Sequence, residues 1–436
     1  MAENNKLRIW LIQHGEPPPI DPNGASFRTA RLARELASRG HQVTFWCSTF
    51  WHHKKKFFAD KNTVLQVGNY ELHALHAGGY RTNHSVARFL HHRKMARIFA
   101  IEARKKEVPD IIVAGLPIHD CAYEAVRFGT ENKIPVIVDL RDYWPDNYLM
   151  LFPSSLRWLV RWVLAKDFRM TRYALSNATA LVAMMSHLLN WAREAYACRP
   201  PLADDQVFLI GGENFDRVSL QEVERRFPEL KDRTKGRFVV NYIGGFSFLT
   251  HPMVLIDAAK RLKNMGLEDQ FLFVLAGTGD YHERCVRAAE GLSNTVFLGW
   301  LDVDGMAALN SVSHAGVIPS HEVVSFPNKA FSYLGAGLPI FSSERGDLHN
   351  LLKKYQAGYY FDISNPQQLA DLIYELSHLD KSSYAKISAN SKSLFENHLQ
   401  ADMIYREFAN YVERIALQTI SNGKSRPIEK VVAGQN

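Results

Sequence analysis

The pattern of apolar and polar residues in the first 48 positions predicts a strand–helix–strand unit. An apolar run at 7–12 is typical of a buried strand, and from Ser26 the apolar residues recur at helical spacing, with Arg28 on the polar side. Gly40 marks the end of this helix, and the apolar run at 43–47 predicts the next strand. Because the link between helix and strand is short, the two strands should be parallel.

The same alternation continues along the chain. Further strands are predicted in two series, at 110–114, 135–140 and 180–184, and then at 238–243, 271–276, 296–298, 315–319 and 339–342. The pattern is interrupted near 199–201, which reads Arg-Pro-Pro. Two series of this kind predict two doubly wound α/β domains, with a ligand-binding cleft at the carboxyl ends of the strands.

These boundaries predict four parts of the chain. Residues 1–205 and 206–400 form two Rossmann-like domains, and residues 401–420 form a helix that packs back on the first of them. The segment 421–436 mixes charge with Gly and Pro, and it is expected to be a mobile tail.

Composition narrows the class of protein. Of the 436 residues, 46% are hydrophobic and 22% are charged, which suits folded cores and argues against a disordered chain. No uninterrupted apolar run reaches the roughly 18 residues of a membrane-spanning helix. The first residues also lack the charged start and apolar core of a secretory signal. We therefore expect a cytoplasmic protein.

The charge balance favours anionic partners. The net charge is +7 and the pI is near 9.0, which suits phosphorylated small molecules or an anionic lipid surface. Lys and Arg are spread over both halves, and no nucleic-acid module is recognisable, so nucleic acid is not expected as a partner.

No metal or disulfide framework is predicted. The pairs His52-His53 and His91-His92 lack ligand spacing to acids or cysteines. The four cysteines stand far apart and form no CxxC motif.

Two glycine-containing loops are candidate anion sites. Gly24 lies between the first strand and the first helix, and Gly244-Gly245 repeats this arrangement in the second series. Glycine lets the backbone approach a ligand closely, and the N–H groups at a helix start attract anions. An ordinary turn is the alternative at Gly24, since the dinucleotide fingerprint GxGxxG is absent.

Lys329 is a candidate phosphate ligand. It stands in the first turn of a helix predicted to begin near Asn328. A cation at this end opposes the helix dipole unless an anion lies nearby. A solvated surface lysine is the alternative.

Polar groups also cluster after the strand at 135–140, where Arg141 and Asp142 follow Asp139. At this edge of a parallel sheet they would face the cleft, and they could bind a hydroxylated substrate or assist proton transfer. A structural salt bridge that caps the strand is the alternative.

The stretch 156–172 is a candidate membrane contact. It combines Trp158 and Trp162 with the cations Arg157, Arg161, Lys166, Arg169 and Arg172. Tryptophan flanked by cations is typical of a helix that lies on an anionic bilayer. A domain helix with its tryptophans turned inward is the alternative.

Taken together, these segments resemble the retaining GT-B glycosyltransferases of the bacterial "glycosyl transferases group 1" family. The resemblance covers nearly the whole chain, in segments 22–24, 40–44, 183–186, 242–244, 276–280 and 326–339. Segment 139–145, Asp-Leu-Arg-Asp-Tyr-Trp-Pro, looks like the subset that builds cell-surface polysaccharides. The resemblance to this family implies an α/β fold with two Rossmann-like doubly wound domains that face each other across a cleft.

The resemblance also implies a reaction. A hexosyl or N-acetylhexosaminyl group would pass, with retention, from a nucleotide-diphosphate sugar to a glycan or lipid-linked acceptor, with no essential metal or other cofactor. The donor would bind the C-terminal domain and the acceptor the N-terminal one. Asp142, with Arg141 beside it, would orient the acceptor hydroxyl or the sugar. The residues implied in donor binding are Gly24, Gly244, Gly245, Gly277, Gly279, Glu322, Phe326, Asn328, Lys329 and Ser332.

Two alternatives to a transferase stay open. The family's pair of glutamates would fall at Val324 and Ser332, and its basic pair after Gly244 is missing. A non-catalytic paralogue that binds a glycan or a partner is therefore one alternative. A nucleotide-sugar epimerase is the other.

Overall fold

The computed structural model describes residues 6–20, 27–83, 85–214, 218–321 and 326–421. These residues form two compact units. The first comprises the described residues up to Ile210 together with those from Tyr405 onward, and the second is Gly211–Ile404. Most of the predicted tail, from residue 422 onward, lies outside the described residues, as does Gly24.

The first unit is built around a mainly parallel sheet. Its described strands are β1 (Arg8–Ile12), β2 (Gln42–Ser48), β3 (Phe50–Trp51), β4 (Lys56–Phe57), β5 (Thr63–Val67), β6 (Tyr70–Leu75), β7 (Ile111–Leu116), β8 (Val136–Leu140), β9 (Ala180–Ala183) and β10 (Gln206–Val207). Eight of them form one sheet in the order β10-β9-β8-β7-β1-β2-β6-β5, in which only the β5–β6 pair is antiparallel. Strands β3 and β4 form a separate antiparallel pair.

Helices cover this sheet. They are α1 (Arg28–Ser38), α2 (Val86–Ala103), α3 (His119–Asn132), α4 (Asn147–Met150), α5 (Arg157–Val163), α6 (Ala165–Asn177) and α7 (Ser186–Trp191), the last continued by a π-helical turn over Ala192–Ala197. The core between sheet and helices is aromatic at its centre. The Trp10 ring lies 5.3 Å from the rings of both Trp46 and Phe128, and burying each such side chain stabilises the fold by about 1.5–3 kcal/mol.

The second unit repeats the architecture. Its strands are β11 (Phe238–Ile243), β12 (Phe271–Ala276), β13 (Thr295–Gly299), β14 (Ala315–Ile318), β15 (Ile340–Ser342) and β16 (Gly358–Tyr360), all parallel in the order β13-β12-β11-β14-β15-β16. Its helices are α8 (Leu220–Arg226), α9 (Met253–Asn264), α10 (His282–Ala288), α11 (Val303–Val312), α12 (Lys329–Gly335), α13 (Asp347–Tyr355), α14 (Pro366–Ser377) and α15 (Lys381–Leu394). The predicted fold class, two doubly wound α/β domains, is confirmed.

The last helix, α16 (Ala401–Ser421), begins in the second unit and continues in the first. Within the first unit, Phe408 stacks on Phe208 with ring centres 4.7 Å apart, and Tyr411 lies 5.4 Å from the same ring. None of the helices in the described ranges is long and apolar enough to span a bilayer.

Two features of the first unit differ from the sequence prediction. The β5–β6 hairpin was not predicted, because the alternation in its strands is interrupted by exposed apolar residues such as Val64. Arg28 was placed on the polar face of the first helix, but it is only 4% exposed. The reason is a buried carboxylate partner, described below, which a helical periodicity does not reveal.

Candidate functional site

Two glycine loops of the second unit lie directly against each other. The N–H of Gly244, just after β11, donates to the carbonyl of Ala276 at 2.9 Å. Gly277 follows β12 with φ 137°, and a Cβ on it would lie 1.8 Å from the Gly244 carbonyl oxygen. A side chain at this position would force the loops apart, so glycine is required there.

The next residues continue this backbone contact. Gly279 has φ 148°, and a Cβ on it would lie 2.3 Å from the carbonyl oxygen of Phe246. Phe246 in turn donates its N–H to Thr278 at 2.9 Å. Gly245, by contrast, has open space where its Cβ would be, among the atoms of the described chain. The predicted loop glycines are therefore brought together, and Gly245 lies on their open side.

Lys329, the first residue of α12, points its ammonium group at these loops. Its Nζ lies 2.6 Å from the place where a Cβ of Gly244 would stand, and 4.2 Å from the centre of the Tyr242 ring. The side chain is half-buried, and no hydrogen-bond acceptor for Nζ is found within the described ranges. Burial lowers the pKa of Lys329 from the ordinary value of 10.5 to about 7, although the carboxylate of Glu344 acts in the opposite direction.

A half-buried amine with a lowered pKa and no hydrogen-bond acceptor in the described residues suits an anionic ligand. Taking an ammonium group out of water costs free energy unless a negative charge accompanies it. The buried Glu344 raises the pKa of Lys329, but it does not outweigh burial. An anion placed beside Gly244 would restore the charge on Lys329.

The other predicted donor residues are placed as follows. Phe326 stacks on Phe331 with ring centres 5.0 Å apart, and Asn328 is exposed just before α12 without capping it through its side chain. Ser332 is buried and donates its hydroxyl to the Lys329 carbonyl at 3.0 Å. Glu322, like Gly24, lies outside the described residues.

In the first unit, Asp139 is the centre of a buried ion network. Its carboxylate accepts from Arg28 Nε at 2.9 Å and from Arg141 at 2.8 Å. Arg141 also donates to the Thr29 hydroxyl at 2.8 Å and to the carboxylate of Glu16. Burial alone raises the pKa of Asp139, but the two guanidinium groups outweigh it and hold that pKa below its ordinary value.

The network ties distant segments together. Arg28 also donates to the carbonyls of Phe208 and Leu209, at 2.7 and 3.2 Å. Most donors of the Arg141 guanidinium are thus engaged by protein groups, which matches the salt-bridge alternative for this residue. A contact of Arg141 with substrate stays a prediction.

The carboxylate of Asp142 makes fewer contacts with protein groups than that of Asp139. Its Oδ1 accepts from the N–H of Tyr143 at 2.9 Å and from Asn147 Nδ2 at 2.5 Å. For Oδ2 no partner is found in the described part of the chain. Since Asp142 is half-buried and follows β8 at its carboxyl end, this oxygen is available to a ligand hydroxyl.

One side-chain cluster has metal-like geometry, within the described residues. Ligand atoms of His119, Asp120 and Asp167 lie within 4.8 Å of one another. However, Trp144 Nε1 donates to His119 Nδ1 at 2.6 Å, and His119 Nε2 lies 2.9 Å from Asp167. Arg93 adds a contact to Asp167 at 3.1 Å. Both ring nitrogens of His119 are therefore used, and we interpret the cluster as a structural network.

Sequence reasoning missed Arg28, Glu16 and Tyr242 as parts of these sites. For Glu16 a signal existed, because it follows β1 at the same sheet edge as Asp139. For Tyr242 none existed, since a tyrosine in an apolar run looks like an ordinary core residue.

Solved structures with the same fold include known enzymes. Sucrose-phosphate synthase from Thermosynechococcus elongatus aligns with a TM-score of 0.69 and 14% identity, over 95% of this chain and 100% of that one. HepE from Anabaena in complex with UDP aligns with a TM-score of 0.62 and 15% identity, over 94% of this chain and 100% of that one. WaaG, a glycosyltransferase involved in lipopolysaccharide biosynthesis, aligns with a TM-score of 0.58 and 12% identity, over 93% of this chain and 99% of that one. At this identity the likeness shows the fold alone.

Sequence models of two families match the chain and cover most of it. A "Glycosyl transferase 4-like domain" matches residues 23–203, and "Glycosyl transferases group 1" matches residues 237–378. Both models describe glycosyl transferases, and the chain is a glycosyltransferase. No curated protein matches this glycosyltransferase significantly in sequence. The group 1 match contains Gly244, Gly277 and Lys329, and the 4-like match contains Asp139 and Asp142.

The ion network of the glycosyltransferase predicts a large effect of Asp139→Asn. The variant leaves two buried guanidinium groups without their shared carboxylate, so we expect the free energy of unfolding to fall by about 3–5 kcal/mol. Because the pKa of Asp139 is lowered in the fold, the wild-type advantage is complete at neutral pH and is lost as the pH falls through that pKa. Urea denaturation at neutral and acidic pH measures the loss in the free energy of unfolding and its dependence on pH.

Asp142→Asn is the matched control. Its amide oxygen can still accept from Tyr143 and Asn147, so stability should change by less than about 1 kcal/mol. Equal stability of the Asp139→Asn variant and the wild type would contradict the network's structural role.

The glycine loops predict that Gly277→Ala destabilises the second unit. Strain at this φ costs about 1–3 kcal/mol, and the clash with Gly244 adds to it. Each kcal/mol should lower Tm by about 2–4 °C, as scanning calorimetry measures. Gly245→Ala, which meets open space, should leave Tm unchanged. If both variants melted with the wild type, the loop contact would be unimportant.

Proposed function

We propose that this glycosyltransferase transfers a hexosyl or N-acetylhexosaminyl group from a nucleotide-diphosphate sugar, with retention and without an essential metal or other cofactor. The acceptor is a glycan or a lipid-linked oligosaccharide, and the product belongs to a cell-surface polysaccharide. The observation that carries the proposal is the Lys329 ammonium, half-buried beside Gly244 with a pKa lowered to about 7. Retention, metal independence and the polysaccharide role rest on the sequence resemblance.

The donor diphosphate would lie beside the loop at Gly244-Gly245. As the bond from the sugar anomeric carbon to the diphosphate breaks, negative charge develops on the leaving nucleoside diphosphate, and Lys329 would stabilise it. One such charge-stabilising group contributes roughly 3–4 kcal/mol to lowering a barrier. The structural neighbour HepE was solved with UDP, which favours UDP as the first nucleotide to test.

The acceptor would use the first unit. Asp142 has one carboxylate oxygen that can accept a hydrogen bond from an acceptor hydroxyl. That hydroxyl oxygen forms the new bond to the anomeric carbon, and its proton leaves with the departing diphosphate or passes to water. Arg141 would keep this edge of the sheet in place through Asp139.

A membrane-facing location is the finer part of the proposal. The first unit has an exposed apolar surface, here called the tryptophan surface, formed by residues 150–163. Helix α5 within it has no buried residue, and Trp158 and Trp162 are 70% and 71% exposed. It contains the exposed cations Arg157 and Arg161, and the exposed Lys166 and Arg169 follow it in the chain. This combination supports contact with an anionic bilayer, as expected for a lipid-linked acceptor.

The role of Lys329 predicts proton uptake when UDP binds. At pH 8 the free protein carries Lys329 mostly neutral, because its pKa is about 7, and the bound diphosphate should restore its proton. Titration calorimetry in buffers of different ionisation enthalpy should therefore show uptake of close to one proton. Affinity should fall as the pH rises above 7.

Lys329→Met should abolish this uptake and weaken UDP binding by about tenfold to a hundredfold, the value of a charge-assisted contact. Lys353→Met, which removes an exposed lysine of α13, should bind like the wild type. Equal proton uptake in both variants would contradict the role of Lys329. A protein that binds no nucleoside diphosphate would instead be the non-catalytic paralogue, and conversion of a free nucleotide sugar without acceptor would identify an epimerase.

The tryptophan surface predicts vesicle binding. The wild type should bind vesicles of equal parts phosphatidylcholine and phosphatidylglycerol, and added salt should weaken binding because the cations take part. A double variant Trp158→Ala and Trp162→Ala should bind at least about tenfold more weakly in a flotation assay. Trp300→Ala, equally exposed at 72% in the second unit, is the control. Equal loss in the control would show a nonspecific effect.

A further inference from the structure

A buried basic cluster lies at the carboxyl edge of the first unit's sheet. His14 follows β1, and its ring centre is 5.5 Å from that of His91 and 5.2 Å from that of His92, both in α2. The three side chains are 6%, 3% and 1% exposed. Arg88 stands one turn before His92 on the same helix. We call these four residues the histidine cluster.

Several polar atoms of this cluster have no protein partner in the described structure. They include Nε2 of His14, both ring nitrogens of His92 and Nε of Arg88, all of them buried. The hydroxyl of Tyr148 nearby is in the same state. A buried donor or acceptor without a partner costs about 1–3 kcal/mol, and such groups are few in folded proteins. Five of these atoms lie in and beside one cluster, where a ligand could supply the partners.

The surrounding charges define the kind of ligand. Burial is the largest of the causes that lower the pKa of His92. The titratable groups that lower this pKa further are all basic: His14, Arg88, His91 and His119. The pKa of His14 is likewise lowered by burial and then by His91, Arg88 and His52. A metal ion is disfavoured, because these histidines belong to no group of three or more potential metal ligands in the described part of the chain and Arg88 adds positive charge. An anion supplies what the cluster lacks.

An apolar surface begins directly beside the cluster. The Arg88 guanidinium lies 5.0 Å from the Trp144 ring, and Trp144 contacts Tyr148 of α4 at 4.7 Å. Helix α4 ends at Met150, which is 74% exposed and is the first residue of the tryptophan surface. On the α2 side, Val86 and Leu90 are 76% and 63% exposed. The histidine cluster and an exposed apolar surface are therefore neighbours within the first unit.

We propose that the histidine cluster binds the phosphate group of a lipid-linked acceptor, whose hydrocarbon chain lies along Val86, Leu90 and the tryptophan surface. The inference rests on the proposed function, and it names the acceptor class as a phosphorylated lipid. Arg88 contributes a charge-assisted contact, and His14 and His92 contribute ring N–H groups. The bound phosphate favours their protonated form, since it supplies the negative charge that their surroundings lack.

Titration calorimetry on the full-length protein tests this inference with three probes: farnesyl diphosphate, pyrophosphate and farnesol. Farnesyl diphosphate should bind at least about tenfold more tightly than either of the others, because only it engages both the cluster and the apolar surface. Arg88→Gln and His92→Gln should each weaken it by about tenfold or more. Arg97→Gln removes an exposed arginine from the same helix and should have no effect.

A second set of measurements separates this site from the donor site. Lys329→Met should bind farnesyl diphosphate like the wild type, while Arg88→Gln and His92→Gln should keep wild-type UDP binding and melting temperature. Loss of farnesyl diphosphate binding in Lys329→Met, with no loss in the two cluster variants, would overturn the inference. Pyrophosphate binding as tight as that of farnesyl diphosphate would also overturn it, since the site would then hold a free anion. Failure of UDP binding alone would contradict only the proposed donor.

Discussion

A buried carboxylate stays ionised only if cations and hydrogen bonds replace its lost hydration, and Asp139 meets this constraint with two guanidinium groups. Arg28 comes from the start of α1, and Arg141 follows β8 in the loop that also carries Asp142. Through these partners, one carboxylate connects α1, the loop after β1 at Glu16 and the carbonyls after β10. The geometry of the sheet edge where the acceptor is proposed to bind therefore depends on this ion network.

The second unit positions its loops in a different way. No ion network holds Gly244 and Gly277 together in the described structure. Their backbones touch directly, and only glycine allows this approach. Lys329 then presents its ammonium group beside the contact without a carboxylate partner of its own in the described ranges. The nearby Glu344 raises the pKa of Lys329 but does not outweigh burial, so an anion bound at this rigid backbone cradle can still restore the charge on Lys329.

The sequence predicted the fold well and the sites in part. Periodicity located β1, β2, β7 to β9 and β11 to β15, because buried parallel strands are continuous apolar runs that alternate with helices. It also singled out Lys329 and the loop glycines. It failed at Arg28, whose helical position suggested solvent while a carboxylate more than a hundred residues away holds it in the interior. It gave no reason to place His91 and His92 in a site, because the pair was considered only as metal ligands and its spacing did not favour that role. The burial of both rings, and the lack of a protein partner for His92 in the described structure, are three-dimensional properties.

The basic side chains at the candidate sites are therefore of two kinds: those that form salt bridges with carboxylates, and those that form none in the described residues. Arg28 is buried, and Arg93 and Arg141 are half-buried; all three contact buried carboxylates, so their charges are already balanced within the fold. Lys329 and the histidine cluster are buried or half-buried basic groups without a salt bridge in the described residues, and burial lowers the pKa of Lys329 and of His92. An anionic ligand would favour the protonated forms of these groups. In the proposed reaction the donor diphosphate would do this in the second unit, and the phosphate of the acceptor would do it in the first.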